Sequence, residues 1–159
     1  MVDVEEVMEK LIEISKDKSD ILDEIYFLTI EQSKVIEQED IEKLNELIDK
    51  KQVMINKAQD LDTQFEKIVD ELKLVYDVKK LDEIDICKKE VSKIQIVVKA
   101  IMDKVKLIRQ IEMGNSSLLR EMKDNMERKI SAIKNGKKAV SNYGYGNMQQ
   151  HPVYFDKNH

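Results

Sequence analysis

Apolar residues recur along the first 38 positions of the chain at alternating steps of three and four. This spacing is typical of an amphipathic helix that buries one face, with a period close to 3.5 residues. Polar Lys18 and Gln32 interrupt the apolar face, at positions where polar residues fix a register or meet water. The pattern predicts a first helix over about 3–38, with the apolar positions Val4, Val7, Met8, Leu11, Ile14, Ile21, Leu22, Ile25, Leu28, Val35 and Ile36.

The same spacing resumes after a short break and predicts a second helix over about 41–76. Asp40 is suited to cap this helix, because its carboxylate can accept a free amide hydrogen of the first turn. Glu42 suits the positive end of the helix dipole. So short a break between two long helices predicts an antiparallel hairpin. The apolar positions are Ile41, Leu44, Leu47, Ile48, Met54, Ile55, Ala58, Leu61, Phe65, Ile68, Val69, Leu72 and Val75.

A third periodic segment predicts a helix over about 86–135, after a connection over 77–85 in which Asp82 or Asp85 is the expected cap. Gly136 follows the last apolar position and is a signal for the end of a helix. The apolar positions are Cys87, Val91, Ile94, Val97, Val98, Ile101, Val105, Ile108, Leu118, Leu119, Met122, Met126, Ile130 and Ile133.

The third helix contains the polar stretch EMGNSS at 112–117. Gly114 costs about 1 kcal/mol relative to Ala within a helix. The sequence therefore leaves open whether the helix bends, breaks or continues there.

Together these segments predict an all-α protein. It is an elongated antiparallel three-helix bundle or coiled coil over 1–136, with a long C-terminal helix and a flexible tail over 137–159. Helices of about 35 residues are about 52 Å long. Because the third helix is longer than its partners, we expect its C-terminal half to project past the hairpin or to be less completely covered.

The tail contains half of the chain's eight aromatic residues. No continuing helix hides them, since they follow Gly136 and flank Pro152, and exposed aromatic residues are enriched at binding hot spots. We expect the tail to dock onto another protein, although an end without a binding role, or one that packs back on the bundle, is an equal alternative. The aromatic residues are Tyr143, Tyr145, Tyr154 and Phe155.

The composition supports long helices, because 37% of the residues are charged and there are only four Gly and one Pro. Cys87 is the only cysteine, which excludes an internal disulfide. The acidic N-terminal segment is unlike a signal peptide, and no run of 18 apolar residues occurs. We therefore expect a cytoplasmic protein with no membrane insertion.

Charge is divided unevenly along the chain. Residues 1–85 hold 25 acidic and 12 basic residues, a net charge of −13, whereas residues 86–159 hold 7 and 15, a net charge of +8. The favoured interpretation is a basic last helix that lies on an acidic hairpin. A nucleic-acid interface is disfavoured, because the basic residues alternate with apolar positions and do not cluster with stacking aromatics.

Catalytic chemistry is not indicated by the sequence. The only histidines, His151 and His159, lie in the tail, so no helix carries a Glu-x-x-His metal pair or a His base for a nucleophile. There is no Gly-rich phosphate loop. We expect no enzyme activity, no cofactor and no metal.

Two stretches resemble the FlgN-type flagellar export chaperones. The first, LTIEQSKVIEQEDIEKLNELIDKKQVMI at 28–55, shares a Leu-Thr, a following Gln, an Asp between helices, and Leu-x-x-Leu-Ile-x-x-Lys. The second shares an Asn-x-x-Leu-Leu element, and the later AVSNYGYG is similar to the family's closing segment. The likeness spans about 11–146, and the tail after Gly146 departs from it. The matching residues are Leu28, Thr29, Gln32, Asp40, Leu44, Leu47, Ile48, Lys51, Asn115, Leu118 and Leu119.

The resemblance implies a cytosolic chaperone of flagellar type III export. Such proteins bind the C-terminal helices of hook-associated proteins (FlgK/FlgL type, at the hook-filament junction), prevent their early assembly and bring them to the export gate. We expect the client to contact the distal half of the last helix, where an amphipathic client helix can dock its apolar face. The predicted client-binding residues are Asn115, Leu118, Leu119, Met122, Met126, Ile130 and Ile133.

Other functions stay open at this point. A chaperone of the FliT type, which serves the filament-cap protein, has a similar architecture. A coiled-coil scaffold or homodimer without a chaperone role predicts a stable self-associated rod. A nucleic-acid binder predicts strongly salt-dependent binding to DNA or RNA.

Overall fold

The computed structural model describes residues 3–140, apart from the side chains of Ile86 and of residues 137–140. Three long helices make up nearly all of this part, and no strand occurs in it, which confirms the all-α prediction. No helix among the described residues is apolar and long enough to cross a membrane. The helices are α1 (Val4–Glu37), α2 (Ile41–Tyr76) and α3 (Lys88–Val140), and two short 3-10 helices (Leu81–Glu83 and Asp85–Cys87) join α2 to α3.

The turn between α1 and α2 is tight because each helix end satisfies its own backbone groups. Glu39 adopts the left-handed conformation with φ 57° and donates its amide to the Ile36 carbonyl at 3.1 Å, while the Asp40 amide donates to the Val35 carbonyl at 3.0 Å. This pair of bonds closes a helix C-terminus as a Schellman motif. The Asp40 carboxylate accepts the Lys43 amide at 3.1 Å, so the predicted cap of α2 is confirmed.

The connection from α2 to α3 differs from the prediction in its caps. Asp77 closes α2 in the left-handed conformation with φ 49°. Neither Asp82 nor Asp85 caps a helix with its side chain, because both lie within short 3-10 turns that precede Lys88. Asp85 instead forms an exposed ion pair of 3.2 Å with Lys88.

Helix α3 is unbroken from Lys88 to Val140. It passes through 112–117 because Gly114 lies on the exposed face, and Asn115 turns its side chain toward α1 rather than toward its own backbone. It also passes Gly136, where a Cβ would meet no atom within 4 Å. Gly permits the end of a helix but does not require it.

Helix α1 occupies the middle of the bundle, with α2 antiparallel to it and α3 parallel to it. Lys18 pairs with Asp62 and Gln32 with Lys51, so residue numbers fall along α2 as they rise along α1. Asp23 pairs with Lys104 and Ser33 with Asn115, so residue numbers rise together along α1 and α3. Helix α1 packs along both α2 and α3, whereas α2 and α3 have few contacts with each other. The connection after α2 reverses the chain direction again, so α3 runs parallel to α1.

The core consists of three apolar clusters spaced along α1. The proximal cluster includes Met8, Leu11, Leu72, Cys87 and Val91. The middle cluster includes Leu22, Ile25, Ile101 and Ile108. The distal cluster lies at the hairpin turn and contains Val35, Ile36, Leu44 and Leu47, with Leu28, Ile48, Leu118 and Leu119 packed against it.

Helix α3 is longer than the hairpin beside it. Leu119 packs on the distal cluster, at the level where α1 ends. Residues 123–140, which we call the α3 tip, therefore continue beyond the hairpin for about 27 Å at 1.5 Å per residue. An ion pair of 3.7 Å links Lys129 of the tip to Glu39 of the hairpin turn, and both side chains are exposed to solvent.

Candidate functional site

A polar layer crosses the bundle between the middle and distal clusters. Asn115 of α3 is buried and donates its amide to the Thr29 carbonyl of α1 at 3.1 Å. It accepts a hydrogen bond of 2.5 Å from the Ser33 hydroxyl. The Thr29 hydroxyl is buried and donates to the Ile25 carbonyl at 2.6 Å. One side chain thus fixes the position of α3 along α1.

Lys51 connects all three helices within the same layer. Its side chain is only 9% exposed and donates to the Gln32 Oε1 of α1 at 3.0 Å. It also pairs with Glu112 of α3 at 2.5 Å. A buried cation is costly unless it is paired and hydrogen-bonded, and both conditions are met here. Gln32 therefore sets the register, one of the two roles expected for a polar residue on the apolar face.

The polar layer accounts for four of the residues that carry the family resemblance. Thr29, Gln32, Lys51 and Asn115 all belong to it, and they are four of the buried polar residues in the described part of the chain. No buried side-chain polar atom described in residues 3–140 lacks a hydrogen-bond partner. A fully satisfied polar layer specifies one arrangement of helices, since any shifted register leaves its groups unpaired.

The predicted client-binding residues fall into two groups. The first group is already covered within the chain, because α1 and the hairpin turn pack against it. Asn115 lies in the polar layer, Leu118 and Leu119 pack on the distal cluster, and Met122 is only 3% exposed. These four residues position α3 on the hairpin in the free protein.

The second group lies on the α3 tip. Met126 and Ile130 are half-buried, and Ile133 is 49% exposed. With Met122 they follow each other at steps of three and four, so the apolar face of α3 continues beyond the hairpin. The predicted docking tail, Tyr143, Tyr145, Tyr154 and Phe155, lies outside the described residues.

A groove between α1 and α2 is a feature that sequence reasoning missed. Phe27 and Val53 are 65% and 51% exposed on its two rims, above half-buried Leu28 and Met54. Its apolar end has a volume of about 390 Å³. Phe27 and Val53 are large apolar residues that lie beside the predicted apolar faces of α1 and α2, not on them. Such residues are the signal in the sequence for an exposed apolar surface.

The remaining reactive group is buried and serves the core. Cys87 is fully buried in the proximal cluster. Burial raises the pKa of the Cys87 thiol, and the nearby Glu90 carboxylate raises it further. The thiol is therefore kept protonated, which is the unreactive form. No cluster of potential metal ligands occurs among residues 3–140.

The structure is an all-α helical rod with one overhanging amphipathic helix and a core crossed by a polar layer. The family model described as FlgN protein matches residues 1–151, so the chain belongs to the FlgN family and has the kind of role that family has, flagellar export chaperone. Comparisons with curated proteins and with solved structures give no match.

Proposed function

We propose that this protein binds the C-terminal helices of hook-associated proteins of the FlgK/FlgL type in the cytoplasm. It holds those helices apart before assembly and delivers them to the type III export gate. The observation that carries the proposal is the α3 tip, together with membership in a family of flagellar export chaperones. The tip offers an apolar face where the hairpin no longer covers α3.

The client helix completes this apolar face by the helix-in-groove mode of recognition. Ile130 and Ile133 form the open part of the surface, because Met122 is buried and Leu119 packs on the distal cluster. A client helix that lies along the tip and abuts the hairpin turn extends the distal cluster by further apolar layers. Covering the part of each isoleucine that is still exposed contributes about 0.7–1.5 kcal/mol, half the value for a fully exposed side chain.

The test is titration calorimetry with peptides of the C-terminal helices of the junction proteins. We expect Ile130→Glu combined with Ile133→Glu to lower the affinity at least tenfold, about 1.4 kcal/mol. The matched control is Ile96→Glu combined with Leu107→Glu, which places the same charges on exposed apolar positions of the same helix. The control should bind as the natural chain does.

Two outcomes would contradict the proposal. Equal affinity in the tip variant and the control would remove the α3 tip from client recognition. Tighter binding to the C-terminal helix of the filament-cap protein than to the junction helices would favour the FliT-type role instead.

A further inference from the structure

The groove between α1 and α2 extends well beyond its apolar end. Glu24 and Met54 line both the apolar end and a second depression, so the two form one continuous channel. Along α1 it runs from Asp17 to Leu28, about 17 Å at 1.5 Å per residue. This length matches about three turns of a docked helix. We call the whole channel the hairpin groove.

The second half of the hairpin groove is apolar at its floor and acidic at its rims. Its floor contains half-buried Ile21 and Leu61. Four carboxylates line it against one cation, Lys57, and a second cation, Lys50, lines the apolar end. None of the four carboxylates forms an ion pair within the described residues. They are Asp17, Asp20, Glu24 and Asp60.

The α3 tip has the complementary chemistry. Ile130 and Ile133 form its apolar face, and Lys129 and Lys134 flank that face on either side at helical spacing. Lys134 forms no ion pair within the described residues, and the Lys129–Glu39 pair at 3.7 Å is exposed and therefore weak. An apolar stripe bordered by lysines fits an apolar floor bordered by carboxylates.

The tip cannot reach the groove of its own chain. Helix α3 is unbroken and parallel to α1, so the tip leads away from the groove. Along the rod, Ile130 lies about 16 Å beyond Leu119, whereas the groove begins at Leu28, about 12 Å before Ile36. The two surfaces are therefore about 28 Å apart within one molecule.

We infer that the occupant of the hairpin groove is the α3 tip of a second copy of this chain. Two rods lie antiparallel with their hairpin turns overlapping, and each inserts its tip into the groove of the other. The arrangement has twofold symmetry, so one pair of complementary surfaces is used twice. Phe27 and Val53 become covered at the end of the groove. The client helix proposed above uses the same face of the tip, so the client and the second copy compete for Ile130 and Ile133.

The test uses the full chain in sedimentation equilibrium with two charge-reversed variants. A tip variant carries Lys129→Glu and Lys134→Glu, and a groove variant carries Asp20→Lys and Asp60→Lys. Each alone places like charges at both contacts, and we expect self-association to weaken at least about tenfold. An equimolar mixture of the two variants pairs opposite charges at both contacts. We expect the mixture to form a heterodimer as tightly as the natural chain forms its dimer.

Matched controls carry the same charge changes elsewhere on the rod. Lys93→Glu with Lys99→Glu on α3, and Glu66→Lys with Asp70→Lys on α2, alter exposed residues outside both surfaces. These controls should dimerise as the natural chain does. A natural chain that stays monomeric at all concentrations, or a mixture that does not recover association, would overturn the proposal. A monomer that binds junction helices through the groove would assign the groove to the client.

Discussion

At the residue scale, the molecule depends on a few polar side chains buried between apolar clusters. Asn115 is the most constrained of them, since both ends of its amide are hydrogen-bonded to α1. Replacing one member leaves its former partners buried without a hydrogen bond, which costs more than the bond itself contributes.

We expect Asn115→Ala to lower the free energy of unfolding by about 1–3 kcal/mol, because the Ser33 hydroxyl loses its acceptor and the layer loses its tie to α3. Urea unfolding followed by circular dichroism measures this. The matched control is Asn125→Ala, an exposed position of the same helix. The control gains helix propensity alone, so equal stabilities of the two variants would show that the polar layer contributes nothing.

Sequence reasoning at this scale succeeds where a residue departs from an apolar pattern. Gln32 interrupts the apolar face, and a register role was one of its two expected interpretations. The resemblance drew attention to Asn115, but its partner on α1 could not be predicted, because hydrogen bonds between helices depend on their exact alignment. Asn115 was therefore assigned to the client surface, while the structure places it inside the bundle.

At the scale of the element, α3 is the helix that the sequence described least well. The periodic pattern predicts where its apolar face lies, because that face follows directly from 3.6 residues per turn. The polar stretch at 112–117 and Gly136 were harder to interpret. A glycine lowers helix propensity everywhere, but only neighbouring contacts decide whether the helix continues, and Asn115 supplies such a contact immediately after Gly114.

We expect Gly114→Ala to raise the free energy of unfolding by about 0.5–1 kcal/mol, because Ala restricts the unfolded chain and suits a helix interior. A Cβ at this position meets no atom within 4 Å, so no strain opposes the gain. The midpoint of urea unfolding measures it. Gly136→Ala, equally free of contacts, is the comparison near the helix end and should give a smaller gain. Loss of stability in Gly114→Ala would indicate a bend at 112–117 in solution.

At the scale of the whole molecule, the overhang of α3 follows from the lengths of the three helices. The apolar pattern predicts those lengths, and a third helix longer than its partners predicts a projecting end. The hairpin groove could not be predicted, because it depends on which rims α3 leaves uncovered. The charge asymmetry was expected to be satisfied within the bundle. The Asp23–Lys104 and Glu39–Lys129 ion pairs follow that expectation, while the groove carboxylates do not.

The tail belongs to this scale, because its proposed role concerns assembly with other proteins. We expect removal of residues 141–159 to weaken binding to the client helix or to the export gate, and to leave the circular dichroism of the bundle unchanged. A full-length chain with Ser at Tyr143, Tyr145, Tyr154 and Phe155 separates the aromatic rings from the length of the tail. Unchanged binding and export in both variants would remove the tail from the mechanism.

The central place of α1 also bears on how the chain assembles during its synthesis. Contacts between α1 and α2 join segments close in sequence, across a turn of three residues between Glu37 and Ile41. Contacts between α1 and α3 join segments about 80 residues apart, and such distant pairing is slower. The hairpin can therefore form while the ribosome is still producing α3. The tip emerges after the hairpin and the rest of α3, when the hairpin can already be formed.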